Sequence, residues 1–333
     1  MATAATPATG HDQTAADLSR TLVLEGVRVT EAAAIAASGF IGKGDEKAAD
    51  AAAVSAMRKA LNGLDIDGTV VIGEGERDAA PMLYIGEKVG AGGPAVDIAL
   101  DPLEGTTICA KAMPNALAVM AMAEKGGLLN APDVYMDKIA VGAGLPEDVV
   151  DLDRSVTDNI HSYARVTGKD VADVAVCVLD RPRHGKLINE LRALGCRVHL
   201  IGDGDIAGVI ATTDPVTSID IYMGSGGAPE GVLAAAALRC TGGRMQGRLL
   251  FRNDDERKRA AKWGITDLDR KYSKRDMASG HVIFCATGVT DGSMLKGVHK
   301  RDGRLTTETL VMRSASRTVR TIQAEHLVAE SAD

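Results

Sequence analysis

DVAVCVLDRPRHGKLINELRALGCRVHLIGDGD, residues 173–205, is the stretch on which the fold turns. Two runs rich in Val, Ile and Leu, 173–180 and 196–205, flank a helical segment at 183–195, and each run ends in polar turn residues. Such runs read as strands, and their alternation with helices is the pattern of an α/β sheet whose ligands gather at the strands' carboxyl ends. Moving outward, IAGVIATT is helical, SIDIYMGSGG (218–227) predicts another strand and VLAAAALRCTG (232–242) another helix. This part of the chain predicts a largely parallel sheet.

Upstream, LSRTLVLEGVRVTEAAAIAASG (18–39) and DEKAADAAAVSAMRKALNGL (45–64) predict two Ala-rich helices, ended near Gly39 and Gly63. DGTVVIGEGE (67–76) reads as a strand entering a glycine-acid loop, APMLYIGEKVG (80–90) as a helix or an extended piece, and AVDIALD (95–101) as a strand. NALAVMAMAEKGGLL (115–129) predicts a hairpin about Gly-Gly, and DKIAVGAG (137–144) a further strand. Residues 252–278 form a charged, exposed helical stretch, 281–290 a strand, and TTETLVMRSASRTVRTIQAEHL a final strand-like segment. The expected organisation is a disordered tail, 1–17, then one compact unit, 18–333, of two packed halves, about 18–150 and 151–333. The class is α/β, with an α+β first half and an α/β second half.

Composition narrows the function. Only 3% of residues are aromatic, so the core is built from Ala, Val, Ile, Leu and Met. The net charge of −7 and the absence of a basic stripe argue against nucleic acid. Five scattered cysteines without a C-x-x-C pair argue against a disulfide framework or zinc site and fit a reducing cytoplasm. No apolar run reaches the ~18 residues that span a bilayer, so no membrane partner is expected.

The chemistry lies in the turns. Asp50, the GEGE pair Glu74 and Glu76, Asp101 with Glu104, and Glu230 are acids in turns or small-residue segments. Each alone reads as a solvated loop acid. Converging, they need a cation, because desolvation and mutual repulsion oppose bare carboxylates. Oxygen donors without a His/Cys cluster favour Mg²⁺ or Mn²⁺. Asp97 is either a strand-face acid or an outer partner of such a site.

DPLEGTT (101–107) adds the rest of a phosphoryl-transfer site. Pro102 directs the backbone, and Glu104 follows Asp101 by three residues, so both can face one ion. Gly105 admits a phosphate, and Thr106 and Thr107 bring hydroxyls and N–H groups to a helix start. RPRHGK (181–186) brings Arg181 and Arg183, whose forks suit phosphate oxygens; His184 reads as a structural hydrogen-bonder. Tyr135 is either a phenol at a phosphate or a buried tyrosine. In GDGDIAG (202–208), Asp203 and Asp205 would repel a pyrophosphate and are better acceptors for sugar hydroxyls. GSGGAPEG can cradle a ligand through backbone N–H groups while Glu230 reaches a metal.

GKGDEKAAD, IDGTVVIGEGERDAAPMLYIGEKVG, VDIALDPLEGTT, NALAVMA, LNAPDVYMDK, RPRH, GDGD, GSGGAPEGV and TTETLVMRSASRTVR together closely resemble the class II fructose-1,6-bisphosphatases of bacteria, from about residue 18 to about 327. The resemblance implies a layered α/β/α/β sugar-phosphatase fold, shared with inositol monophosphatases, and a Mg²⁺- or Mn²⁺-dependent site. It also implies a homo-oligomer, dimer or tetramer. The implied activity releases the 1-phosphate of fructose 1,6-bisphosphate, in gluconeogenesis or carbon fixation, with sedoheptulose 1,7-bisphosphate as a further substrate. Position by position, it implies metal ligands at Asp50, Glu74, Asp101, Glu104 and Glu230. Substrate contacts are implied at Glu104, Gly105, Thr106, Tyr135, Arg181, Pro182, Arg183, Asp203, Gly204, Asp205 and Gly227, with Thr106, Asp101 and Glu104 as the catalytic set. One departure is visible: where some members carry Lys after the first GD, this chain has Glu46 and then Lys47.

Overall fold

The computed structural model describes Leu18, residues 20–75 and residues 81–327; the expected tail and Glu76 lie outside these. Helices α1 (Thr21–Ser38) and α2 (Glu46–Leu61) form where expected, α2 starting at Asp45, whose carboxylate accepts the Ala48 N–H. Strands β1 (Asp67–Ile72), β2 (Lys88–Val89) and β3 (Ala95–Glu104) follow. A short helix, α3 (Thr106–Ala110), leads to β4 (Leu117–Glu124). The chain then crosses to a second sheet with β5 (Tyr135–Val141), α4 (Val156–Thr167), β6 (Ala175–Leu179), α5 (Gly185–Ala193), β7 (Arg197–Ile201), α6 (Asp205–Ile210), β8 (Ile221–Gly227), α7 (Ala228–Thr241) and β9 (Arg244–Leu250). After α8 (Asp254–Lys262), β10 (Lys271–Ser273) and α9 (Lys274–Met277), it returns to the first sheet with β11 (Val282–Gly288), β12 (His299–Arg301), β13 (Arg304–Arg313) and β14 (Thr318–Leu327). The two halves of the sequence therefore do not map one-to-one onto the two sheets.

The first sheet runs β12-β13-β11-β4-β3-β1-β2, with β14 also on β13; the second runs β10-β9-β5-β8-β6-β7. Between them lie α6 and α7, whose run Ala234–Ala237 is wholly buried and lets the inner faces of both sheets close on the helix. Helices α1 and α2 cover the outer face of the first sheet, and α4 and α5 that of the second. The α/β/α/β order is thus present, with one more helical layer outside it.

Three local expectations are corrected. The sheets are mixed, not largely parallel: among the described residues only β1/β3, β6/β7 and β6/β8 run parallel. The strand–helix–strand unit β8–α7–β9 does bring its strands into the same direction, but β5 is inserted between them, antiparallel to both. Residues 115–129 form no hairpin, because β4 pairs with β3 and β11 instead. Beyond the Gly-Gly turn, the Gly126 and Leu128 N–H groups donate to Asp97 Oδ2 (2.7 and 3.4 Å), and Leu128 keeps a single bridge to Ala278. Asp97 is therefore a structural strand-face acid. The charged stretch 252–278 is broken by β10, and the last segment is the β13/β14 pair.

Candidate active site

Strands β1, β3, β6 and β8 end at one cleft of about 450 Å³, joined by the start of β5, whose antiparallel course sets Tyr135 opposite Gly227. Asp50, Glu74, Asp101, Glu104, Gly105, Thr106, Tyr135, Arg181, Arg183, Asp203, Asp205, Gly227 and Glu230 all line it. Pro182 and Gly204 do not. Pro182 opens the tight turn Pro182–His184 that separates the two arginines, and Gly204 holds the left-handed conformation (φ +83°) that starts α6.

DPLE belongs to β3 and not to a turn. Residues three apart in a regular strand face opposite sides. Here the register with β4 shifts between Asp101 and Glu104, and this bulge, seated at Pro102, turns both acids into the cleft. Gly105 then caps α3 in the left-handed conformation (φ +87°), which leaves Thr106 as the first helical residue with no capping task.

The acids share a dry space. Glu104 is buried, its Oε1 3.5 Å from the Ile206 N–H and its Oε2 without any partner; Glu230 Oε2 is likewise buried and unpartnered. Burial, aided by Glu230 and Glu74, holds the Asp101 carboxyl well above its ordinary range, and burial aided by Asp101 and Asp205 does the same to Glu104. Burial pushes Glu74 up to about 7 with help from Asp50, and Glu230 up to about 7 with help from Asp205 against the opposing charge of Lys138. Burial also raises Asp50. Orphaned carboxylate oxygens and an all-oxygen donor set fit a hard divalent cation. Among the described residues, however, no three side chains stand close enough to make a finished ligand group.

Basic residues line the same cleft. Arg183 donates through Nε and Nη2 to the Ser225 carbonyl (3.1 and 2.7 Å) and stacks on the Tyr135 ring at 4.8 Å. Arg252, which sequence reasoning missed, stacks on the same ring at 4.9 Å. Arg181 pairs with Asp203 at 3.4 Å. His184 is structural: its Nδ1 lies 2.7 Å from the Leu179 carbonyl, and the Ser225 N–H donates to Nε2 at 2.9 Å, so both ring nitrogens serve backbone groups. Burial holds its pKa below the usual histidine value. The sequence reading also missed Lys138, which forms a buried ion pair with Asp205. A signal was present: alternation in YMDKIAV puts Lys138 on the same face as the buried Met136 and Ala140.

Acids and arginines gathered at strand ends suit metal-assisted hydrolysis of a phosphoric ester. Comparison with known proteins agrees. The model of the family described as bacterial fructose-1,6-bisphosphatase, glpX-encoded, matches residues 20–326. The chain is 48% identical over 324 residues to fructose-1,6-bisphosphatase 1 class 2 of Escherichia coli strain K12, covering 93% of this chain and 96% of that protein. The class 2 fructose-1,6-bisphosphatase of Shigella flexneri matches to the same extent. An inositol monophosphatase structure from Anabaena (Nostoc) sp. PCC 7120 is 18% identical with a TM-score of 0.30, covering 57% of this chain and 71% of that one, too distant to carry an argument. The chain belongs to the bacterial class 2 fructose-1,6-bisphosphatase family.

Proposed function

We propose that this chain hydrolyses the 1-phosphate of fructose 1,6-bisphosphate, giving fructose 6-phosphate and phosphate. The observation that carries the reading is one cleft lined by Asp101, Glu104 and Glu230 together with Arg181, Arg183 and Tyr135, with carboxylate oxygens of Glu104 and Glu230 left unpartnered among the described residues. Asp50, Glu74, Asp101, Glu104 and Glu230 would hold Mg²⁺ or Mn²⁺. Bound there, such ions neutralise phosphate charge and acidify water. Arg181 and Arg183 grip phosphate oxygens, with Tyr135 holding the Arg183 plane from below. Asp203 and Asp205 accept hydrogen bonds from sugar hydroxyls. Thr106 Oγ1 accepts a hydrogen bond from the attacking water and fixes its line toward phosphorus while the water's proton passes to a carboxylate of the cleft, Gly105 giving the phosphate room. We further propose, from the family resemblance, that it acts in the cytoplasm as a homo-oligomer. No helix among the described residues is long and apolar enough to cross a membrane.

Phosphate release from a panel containing fructose 1,6-bisphosphate, sedoheptulose 1,7-bisphosphate, inositol phosphate and nucleotide monophosphates, each with Mg²⁺, Mn²⁺ or EDTA, tests this. Metal-dependent turnover of the fructose bisphosphate is expected. Preference for inositol phosphate, or full turnover in EDTA, would overturn the reading.

A further inference from the structure

Lys138 is a deeply buried basic side chain with a carboxylate partner, at 1% exposure, and its partner Asp205 is at 6%. It stands on the inner face of the second sheet, where an apolar residue would cost least. Its ammonium donates to Asp205 and, at 2.8 Å, to the carbonyl of Gly227, the cap of α7. Glycines make the passage. A Cβ on Gly231 would stand 3.4 Å from Lys138 Cδ and 2.6 Å from Met136 Sδ, and a Cβ on Gly226 would collide with Asp205 Oδ2. The backbone is shaped around this ion pair.

What surrounds the ammonium explains why a cation is kept there. Asp205 lies within electrostatic reach of both Glu104, whose Oε1 is 3.5 Å from the neighbouring Ile206 N–H, and Glu230, each with a buried oxygen that no described residue satisfies. Without Lys138, Asp205, Glu104 and Glu230 would be three carboxylates in one part of the cleft with no counter-charge, a concentration of negative charge that draws a further cation. With it, one of the three is already neutralised.

We propose that Lys138 is a built-in cation of the site: a positioning residue that limits how many divalent ions the acid cluster takes and keeps Asp205 free for the substrate. This rests on the metal-dependent reading above. Equilibrium dialysis against Mn²⁺ counts ions per chain without turnover. Lys138→Met is expected to bind one more Mn²⁺ than the unaltered protein. Its KM for fructose 1,6-bisphosphate should rise about tenfold, as Asp205 is drawn to the extra ion. Lys138→Arg should keep the original count, and Lys138→Met with Asp205→Asn should return to it. Should the methionine variant not fold, Lys138→Gln, still a donor but uncharged, carries the same comparison. Equal counts in unaltered, Met and Gln proteins overturn the inference. Unaltered protein that binds no Mn²⁺ overturns instead the metal reading on which it rests.

Discussion

Two turns line the cleft with nearly the same backbone. Gly105 (φ +87°) and Gly204 (φ +83°) each end a β-strand's approach, adopt the left-handed conformation and start a short helix, and each has acids beside it. Their electrostatics are opposite. Beside Gly105, Glu104 has a buried oxygen with no partner among the described residues, and Asp101 accepts the Leu103 N–H at 3.1 Å. Beside Gly204, Asp203 has Arg181 and Asp205 has Lys138. The first turn stores unneutralised carboxylate that a metal can satisfy; the second holds neutralised carboxylate fit for accepting hydroxyls. Local geometry does not decide which role an acid plays. The counter-charge supplied from another strand does.

The largest expected effect pits one turn against the other. Glu104→Gln should reduce turnover to near that of the EDTA-treated enzyme, while its melting temperature in EDTA stays the same or rises, because the change removes a carboxyl whose ionisation the buried site opposes. Asp205→Asn should do the reverse for stability, melting early as Lys138 loses its partner, by about 3–5 kcal/mol. Calorimetry and phosphate release on both variants check the pair; early melting of Glu104→Gln would mean that Glu104 is structural.

Thr106 sharpens the comparison, since the second turn has Asp205 at the equivalent first helical position. Thr106→Ala is expected to lose roughly 10²–10⁴-fold in kcat with little change in KM. Thr106→Ser should retain much more activity. Because Gly105 holds the cap, the melting temperature should hardly move. Normal turnover in the alanine variant would leave the water to the carboxylates alone.

On the basic side, Arg183→Ala should raise KM through the loss of a charge-assisted hydrogen bond, about 1.5–3 kcal/mol, or roughly tenfold to a hundredfold. An unchanged KM removes Arg183 from substrate binding and leaves it a brace on Ser225.

The smallest effect concerns pH. Glu74 and Glu230 sit at about 7 in the folded protein against 4.5 ordinarily, so the folded state binds more protons than the unfolded one between those values. Stability contributed by these groups is present below pH ~4.5 and lost as pH rises through ~7. Melting temperature in EDTA should therefore fall over that window. Adding Mn²⁺ should flatten the fall, and Glu74→Gln with Glu230→Gln should remove part of it. A slope unaffected by either would assign it to other groups.

Much of this was readable in the chain. Helices α1 and α2, strands β1 and β3, and the identities of the acidic and basic turns follow from local pattern: small-residue helices with caps, β-branched runs, and polar residues at their ends. Local pattern suffices there because each signal lies within a few residues of the structure it specifies. The tertiary structure alone decided three things. It inserted β5 antiparallel between β8 and β9, which brings Tyr135 into the cleft. It set the bulge against β4 that turns Asp101 and Glu104 to the same side. And it drove Lys138, 67 residues away in sequence, against Asp205. Each depends on a contact between strands distant in sequence, and the free energy of a buried charge is set by what those contacts bring beside it, not by its neighbours along the chain.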